Sequence, residues 1–130
     1  MPRLMGIDFG AKRVGVALSD ESGKVAFPKA VLPNDRMLVG ELVAFAKTYG
    51  ISEIVMGESK GNRGEDNPIA ERARALAAEL KRETGAELHY EPEYYSSQEV
   101  RMHTGASRVD AEAAAVILNS FLTKRYGSHD

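Results

Sequence analysis

Four carboxylates stand at places in this sequence where an acid can do chemistry. Asp8 lies near the end of an apolar run, Leu4 to Phe9. An acid there is costly to bury unless it is paired or holds a cation. Gly6, Gly10 and Gly15 surround it and allow backbone and ligand to approach closely. Asp110 falls on the apolar stripe of a helical projection, with Ala113, Ala114, Ile117, Leu118 and Phe121. Glu93 follows Pro92 at a strand-to-helix junction, where open α/β sheets place their ligands. Glu58 ends a compact apolar strand in Gly57-Glu58-Ser59 and is a second-rank candidate. Each acid also has a plainer reading. Asp8 can cap its own turn, Ser107-x-x-Asp110 resembles a helix capping box, and Glu93 and Glu58 can be solvated loop acids.

Carboxylates on strand ends and one helix suit Mg²⁺ or Mn²⁺, because hard cations take oxygen ligands. Two such ions about 3.5–4 Å apart can clamp the attacking and leaving oxygens of a phosphodiester. Lys12 and Arg13 follow Asp8 directly and could hold a phosphate beside the metal. Lys60 and Arg63 lie in a polar loop that could close over a nucleic-acid strand. Arg101, Arg108, Lys124 and Arg125 are the other basic residues near these segments. For each of these the plainer reading is a solvated charge. His89, His103 and His129 are scattered and complete no Ser-His-Asp set. Tyr94 and Tyr95 could stack on bases or simply pack.

Positioning these groups requires a sheet and helices. Leu4 to Phe9 and Val14 to Leu18 read as strands joined by a tight turn, Gly10 to Arg13. A third extended stretch, Val25 to Leu32, contains Pro28, which assigns it to a sheet edge or bulge. Asp35 reads as the N-cap of a helix carrying Leu38, Leu42, Phe45 and Tyr49 and ending at Gly50. Ile51 to Met56 reads as the central strand, followed by a loop from Glu58 to Asp66. Asn67 caps a helix with Pro68 at its first position, and Gly85 ends it. Ala86 to Glu91 is a further strand. A short helix starts near Ser96 with a possible capping box to Glu99, and Gly105-Ala106-Ser107 breaks the chain. The last helix runs from about Asp110 to Lys124, and residues 126–130 are expected to fray. The order β-β-β-α-β-α-β-α-α predicts an α/β fold with a mixed central sheet and helices on both faces.

Composition narrows the function classes. At 130 residues the chain fits one domain that can bury a core unaided. It has no cysteine, which excludes disulfides, thiol catalysis and cysteine-type zinc sites. A net charge of −2 argues against coating nucleic acid by charge alone. No apolar run approaches the ~20 residues of a membrane span, and the start of the sequence lacks a signal-peptide run. A cytoplasmic location is expected.

The run Gly6-Ile7-Asp8-Phe9-Gly10-Ala11-Lys12-Arg13-Val14-Gly15-Val16-Ala17 resembles the opening of the YqgF (RuvX) family. That family comprises pre-16S rRNA nucleases and Holliday-junction-resolvase-like proteins. The match continues through Glu53-Ile54-Val55-Met56-Gly57, the Pro68 helix, the strand ending at Glu93, and Val109-Asp110-Ala111-Glu112-Ala113-Ala114. The resemblance implies an RNase H-like fold and a metal-dependent nuclease centre of Asp8, Glu93 and Asp110. The implied partners are structured RNA (pre-16S rRNA) or branched DNA, with no membrane and with a homodimer left open. Three departures from the family pattern stand out. Gly57-Glu58-Ser59 replaces Gly-Leu-Pro, Pro92-Glu93-Tyr94 replaces Asp-Glu-Arg, and Ser96-Ser97 replaces Thr-Thr. The segment before Asp110 is also only weakly basic. These changes bear on substrate affinity and choice rather than on fold.

Three functions from different classes fit the sequence. The first is a divalent-metal nuclease acting in pre-16S rRNA processing, with a Holliday-junction-type resolvase as its DNA counterpart. The second is a non-catalytic nucleic-acid-binding or ribosome-assembly module on the same fold. The third is an actin-like ATPase, whose phosphate loop Asp8-Phe9-Gly10 resembles but whose second domain 130 residues cannot supply except by pairing.

Overall fold

The computed structural model describes residues 3–59, 68–93 and 106–126. Its elements are β1 (Leu4–Phe9), β2 (Arg13–Ser19), β3 (Ala26–Pro33), α1 (Leu38–Tyr49), β4 (Glu53–Ser59), α2 (Pro68–Thr84), β5 (Glu87–Glu93) and α3 (Ala106–Tyr126). The expected helix near Ser96, Asn67 and Gly105 lie outside the described residues.

The strands form one sheet in the order β3-β2-β1-β4-β5. The hairpins β1–β2 and β2–β3 are antiparallel, whereas β1–β4 and β4–β5 are parallel. The sheet is therefore mixed, as the sequence predicts. Its middle strand is β1, not Ile51 to Met56, because β4 is inserted between β1 and β5. Pro28 lies on edge strand β3. The register shifts there, with Val16 opposite Ala30 and Ala17 opposite Pro28. Edge and bulge both spare the missing N–H of proline. The same reasoning extends β5 through Pro92 to Glu93, since β5 is the other edge.

Alternating residues fill the two faces. Met5, Ile7, Val16, Ile54 and Met56 pack with Leu38, Leu42, Leu76 and Leu80 of α1 and α2. Leu4, Ala17 and Val55 pack with Ala114, Ile117, Leu118 and Leu122 of α3. Each fully buried leucine or isoleucine contributes about 1.5–3 kcal/mol. Helices thus cover both faces, and α3 crosses its side alone among the described residues.

Helix ends depart from expectation in two places. Helix α1 starts at Leu38 with Met37 as N-cap. Asp35 instead accepts the Met37 N–H on Oδ1 at 2.9 Å and the Leu38 N–H on its carbonyl, closing a turn before the helix. At the other end Gly50 adopts φ 64°, and the N–H groups of Gly50 and Ile51 both reach the Ala46 carbonyl, a left-handed stop that glycine allows. Helix α3 begins at Ala106, so Ala106 and Ser107 continue the helix rather than break it. Tyr126 is helical, against the fraying expected from that residue onward. No helix among the described residues is long and apolar enough to cross a membrane.

Candidate active site

The site is built from glycines upward. Strand alternation turns Gly6 and Asp8 toward α3, because Met5 and Ile7 face α1 and α2. A Cβ on Gly6 would stand 2.9 Å from Leu118 Cβ and 3.0 Å from the Ala114 carbonyl oxygen. Gly15 is paired directly with Asp8 across the β1–β2 ladder. A Cβ there would stand 1.8 Å from the Asp110 carbonyl oxygen and 2.2 Å from its carbonyl carbon. Only a missing side chain lets the second turn of α3 lie on the β2 backbone. This contact brings Asp110 to the strand position that faces Asp8.

Both acids are buried, Asp8 at 9% and Asp110 at 7% exposure. Asp110 lies one turn inside α3, so the proposed cap from Ser107 does not account for it. Its Oδ2 accepts the Arg13 Nε–H at 2.9 Å. The Arg13 side chain is 47% exposed, so its remaining donors reach solvent. Buried carboxylates are tolerated when charge and hydrogen bonds meet them, and Arg13 meets one of them from the rim.

The turn that carries Lys12 and Arg13 is clamped. The Gly10 N–H bonds the Arg13 carbonyl at 3.0 Å. The Asn34 backbone N–H donates to the Lys12 carbonyl at 2.9 Å, and its Nδ2 donates to the Gly10 carbonyl at 2.7 Å. Asn34 is a positioning residue that sequence reasoning missed. Nothing local distinguishes it from any loop asparagine, since its partners are 22 and more residues away.

The other candidates divide. Glu93 is the last residue of β5, in register with Ser59 at the carboxyl edge where β1 also ends. Strand β4 separates β1 from β5, so the two backbones are about 10 Å apart. Glu58 lies inside β4, not in a loop, and shares its parity with Ile54 and Met56. It therefore belongs to the face of α1 and α2, opposite the one to which Asp8 turns. Arg108 occupies the first turn of α3. Lys60, Arg63, Arg101, His103, Tyr94 and Tyr95 lie outside the described residues.

Lys124 and Arg125 are exposed, as the plainer reading expects, but both are also ion-paired. Lys124 Nζ pairs with Glu91 Oε2 at 2.7 Å, and Ser120 Oγ donates to the same oxygen at 2.7 Å. Arg125 binds both oxygens of Glu53, at 2.8 and 3.0 Å, and His89 Nε2 lies 2.8 Å from Glu53 Oε1. The Arg125 hydrogen bonds hold the Glu53 carboxyl below its ordinary range against the opposing effect of burial, with His89 adding to them. Glu53, Glu87 and His89 offer ligand atoms within 4.8 Å of one another and could hold a metal. Arg125 already occupies both Glu53 oxygens, so this group is better matched to an ionic latch.

The Asp8–Asp110 pair fits a small hard cation. Its donors are oxygens, both acids are buried, and the Asp110 backbone rests on Gly15, the strand partner of Asp8.

Known proteins match over nearly the whole chain. Residues 2–124 match the RuvX family, described as Holliday junction resolvase. A Moorella thermoacetica protein named "Putative pre-16S rRNA nuclease" is 33% identical over 134 residues, covering 94% of this chain and 95% of its own. A protein of the same name from Anaeromyxobacter sp. is 33% identical over 141 residues, covering 95% and 98%. Among solved structures, Thermus thermophilus RuvC in complex with Holliday junction substrate superposes with a TM-score of 0.64 at 14% identity, covering 98% and 97%. Fowlpox virus resolvase with Holliday junction DNA gives 0.57 at 10%, covering 97% and 99%. Those two likenesses carry the fold alone, which is the RNase H-like arrangement the sequence resemblance implies. The chain belongs to the RuvX family.

Proposed function

We propose that this chain is a divalent-metal-dependent nuclease, acting as one domain in the cytoplasm on the 5′ end of pre-16S rRNA. The observation that carries this reading is the backbone contact between Gly15 and Asp110. It supports the reading because Gly15 is the strand partner of Asp8, both acids are buried, and the half-exposed Arg13 pairs with Asp110. The names of the 33%-identical relatives support the substrate.

Asp8 and Asp110 would hold Mg²⁺ or Mn²⁺, with Glu93 as the third carboxylate from the end of β5. A divalent cation, when bound, supplies Lewis-acid stabilisation of charge on the phosphate and on the attacking and leaving oxygens. Arg13 keeps Asp110 oriented through Nε and turns its outer N–H donors toward a phosphate oxygen. Guanidinium groups bind phosphate strongly because their donors are fixed in a plane. Lys12, exposed on the same clamped turn, adds a second positive charge on the strand's path. Lys60, Arg63, Arg101 and Arg108 are the further basic residues proposed to bind nucleic acid.

The test incubates wild type and Asp8→Asn with labelled pre-16S rRNA and with four-way branched DNA, in Mg²⁺, Mn²⁺ or chelator. The expected result is metal-dependent RNA cleavage that disappears in Asp8→Asn. Cleavage of the branched DNA alone would reassign the substrate. Intact binding of nucleic acid without cleavage of either substrate would leave a binding module on the same fold.

A further inference from the structure

On the face opposite Asp8, a cleft of about 300 Å³ opens at the same edge of the sheet. Phe9, the residue after Asp8, forms part of its floor with Leu38, Val39 and Leu76. Arg36 and Arg72 stand on its rim, both exposed. The guanidinium of Arg72 lies over the Phe9 ring, 5.8 Å from its centroid. Asp35 and Glu79 also border the cleft, but each is engaged by a neighbour. Asp35 accepts the Met37 N–H at 2.9 Å, and Glu79 pairs with Arg82 at 3.3 Å. Among the described residues no carboxylate pairs with Arg36 or Arg72. Asn34 joins this wall to the turn carrying Lys12 and Arg13 through its two hydrogen bonds.

An apolar floor, an aromatic ring and two arginines describe a site for a flat ring that carries an anion. Single-stranded RNA is recognised in this way. Its unstacked bases lie against aromatic side chains or guanidinium planes while basic groups hold the phosphates. A bare phosphate would not need the apolar floor, and an apolar peptide segment would not need the arginines. Phe9, which lines the cleft, directly follows Asp8 at the end of β1, so one strand would reach both by crossing that end.

We propose that this cleft receives an unpaired base of the substrate strand, flanking the cleaved bond, with Phe9 and Arg72 stacking on it and Arg36 holding its phosphate. The proposal rests on the nuclease reading above and sharpens it. The preferred substrate is a strand with a single-stranded extension rather than a fully paired duplex.

The test uses the full chain in chelator, so that binding is measured without cleavage. The probes are a blunt RNA duplex and the same duplex with a short single-stranded extension, carrying 2-aminopurine at each extension position in turn. Wild type should quench the fluorescence at one position and bind the extended duplex more tightly than the blunt one. Arg72→Ala, on an exposed helical site, and Phe9→Leu, which keeps an apolar side chain, should remove the quenching. They should weaken binding of the extended duplex by roughly five- to a hundredfold, the range for loss of one stacked base, and leave the blunt duplex unchanged. Equal binding of the extended duplex by wild type and Arg72→Ala, or quenching at no position, overturns the proposal. Metal-dependent cleavage of pre-16S rRNA by wild type is measured alongside. Cleavage without quenching removes the base site and leaves the nuclease; loss of cleavage and binding together removes both.

Discussion

Helix α3 meets the sheet at two groups of buried acids, and the two are solved differently. Near its C-terminal end, Glu53 and Glu91 are met by Arg125, Lys124, Ser120 and His89, all within 2.7–3.0 Å. Near its N-terminal end, Asp110 is brought to Asp8 by backbone contact over Gly15, and the cation that meets it, Arg13, stands half in solvent. The first group is closed by the helix's own basic residues and resembles a fastening. The second is assembled by leaving a side chain out at Gly15, which lets the Asp110 backbone rest on the strand partner of Asp8. Burial of acids alone therefore does not separate the two groups. Close backbone approach, with a half-exposed cation on the rim, does.

The largest expected effect falls on that approach. Gly15→Ala places a methyl group in the Asp110 carbonyl, and neither the helix backbone nor the strand can yield without moving α3. We expect a loss of about 3 kcal/mol or more, at the upper end for overpacked sites, together with loss of cleavage. Urea denaturation and the RNA assay measure the two.

Glu53→Gln should act on stability alone. Breaking a fully buried pair costs about 3–5 kcal/mol, but Arg125 is 31% exposed, so about 1–2 kcal/mol is expected here. Cleavage per folded molecule should be unchanged. The sign with pH follows from the lowered Glu53 pKa. Its contribution is complete above its ordinary value of 4.5 and is lost as pH falls through the folded value. The gap between wild type and Glu53→Gln should thus be full at pH 7 and close in acid. A gap that persists unchanged in acid would show that the latch does not work through this charge.

Asn34→Ala gives the smallest change. It removes the Nδ2 bond to Gly10 and leaves the backbone bond to Lys12, a loss of about 1 kcal/mol. Because the turn carries Lys12 and Arg13, KM for RNA should rise more than kcat falls. A stability loss with unchanged KM would make Asn34 a structural residue only.

Much of this was readable in the sequence because the signals were local. The apolar run Leu4 to Phe9, Pro28 at an edge or bulge, the Gly50 stop and the stripe containing Asp110 all depend on neighbours within a turn or two. What was misread depends on distant partners. The central place of β1 is decided by which strand lies between which, and no strand's own pattern encodes that. The continuation of β5 through Pro92 depends on its being an edge, and Ile51 to Met56 being extended to Ser59 depends on pairing with β5. Glu58 was read at the end of a strand, but its face follows from the parity it shares with Met56 once β4 runs on beside β5, where Glu58 pairs with Pro92. Lys124 and Arg125 are surface charges as read, but their ion pairs were not legible because Glu91 and Glu53 are more than thirty residues away. Glu91 itself passed unnoticed in the strand, although it is 3% exposed.

The central claim is that Asp8 and Asp110, rather than Glu53 and its neighbours, hold the divalent cation. The most direct measurement is the Mn²⁺-induced rise in Tm for wild type, Asp8→Asn and Glu53→Gln, since a cation that binds only the folded state stabilises it. The account predicts that Glu53→Gln keeps the full shift from its lower starting Tm and that Asp8→Asn loses it. A shift retained in Asp8→Asn and lost in Glu53→Gln would contradict it and place the metal at the other end of α3.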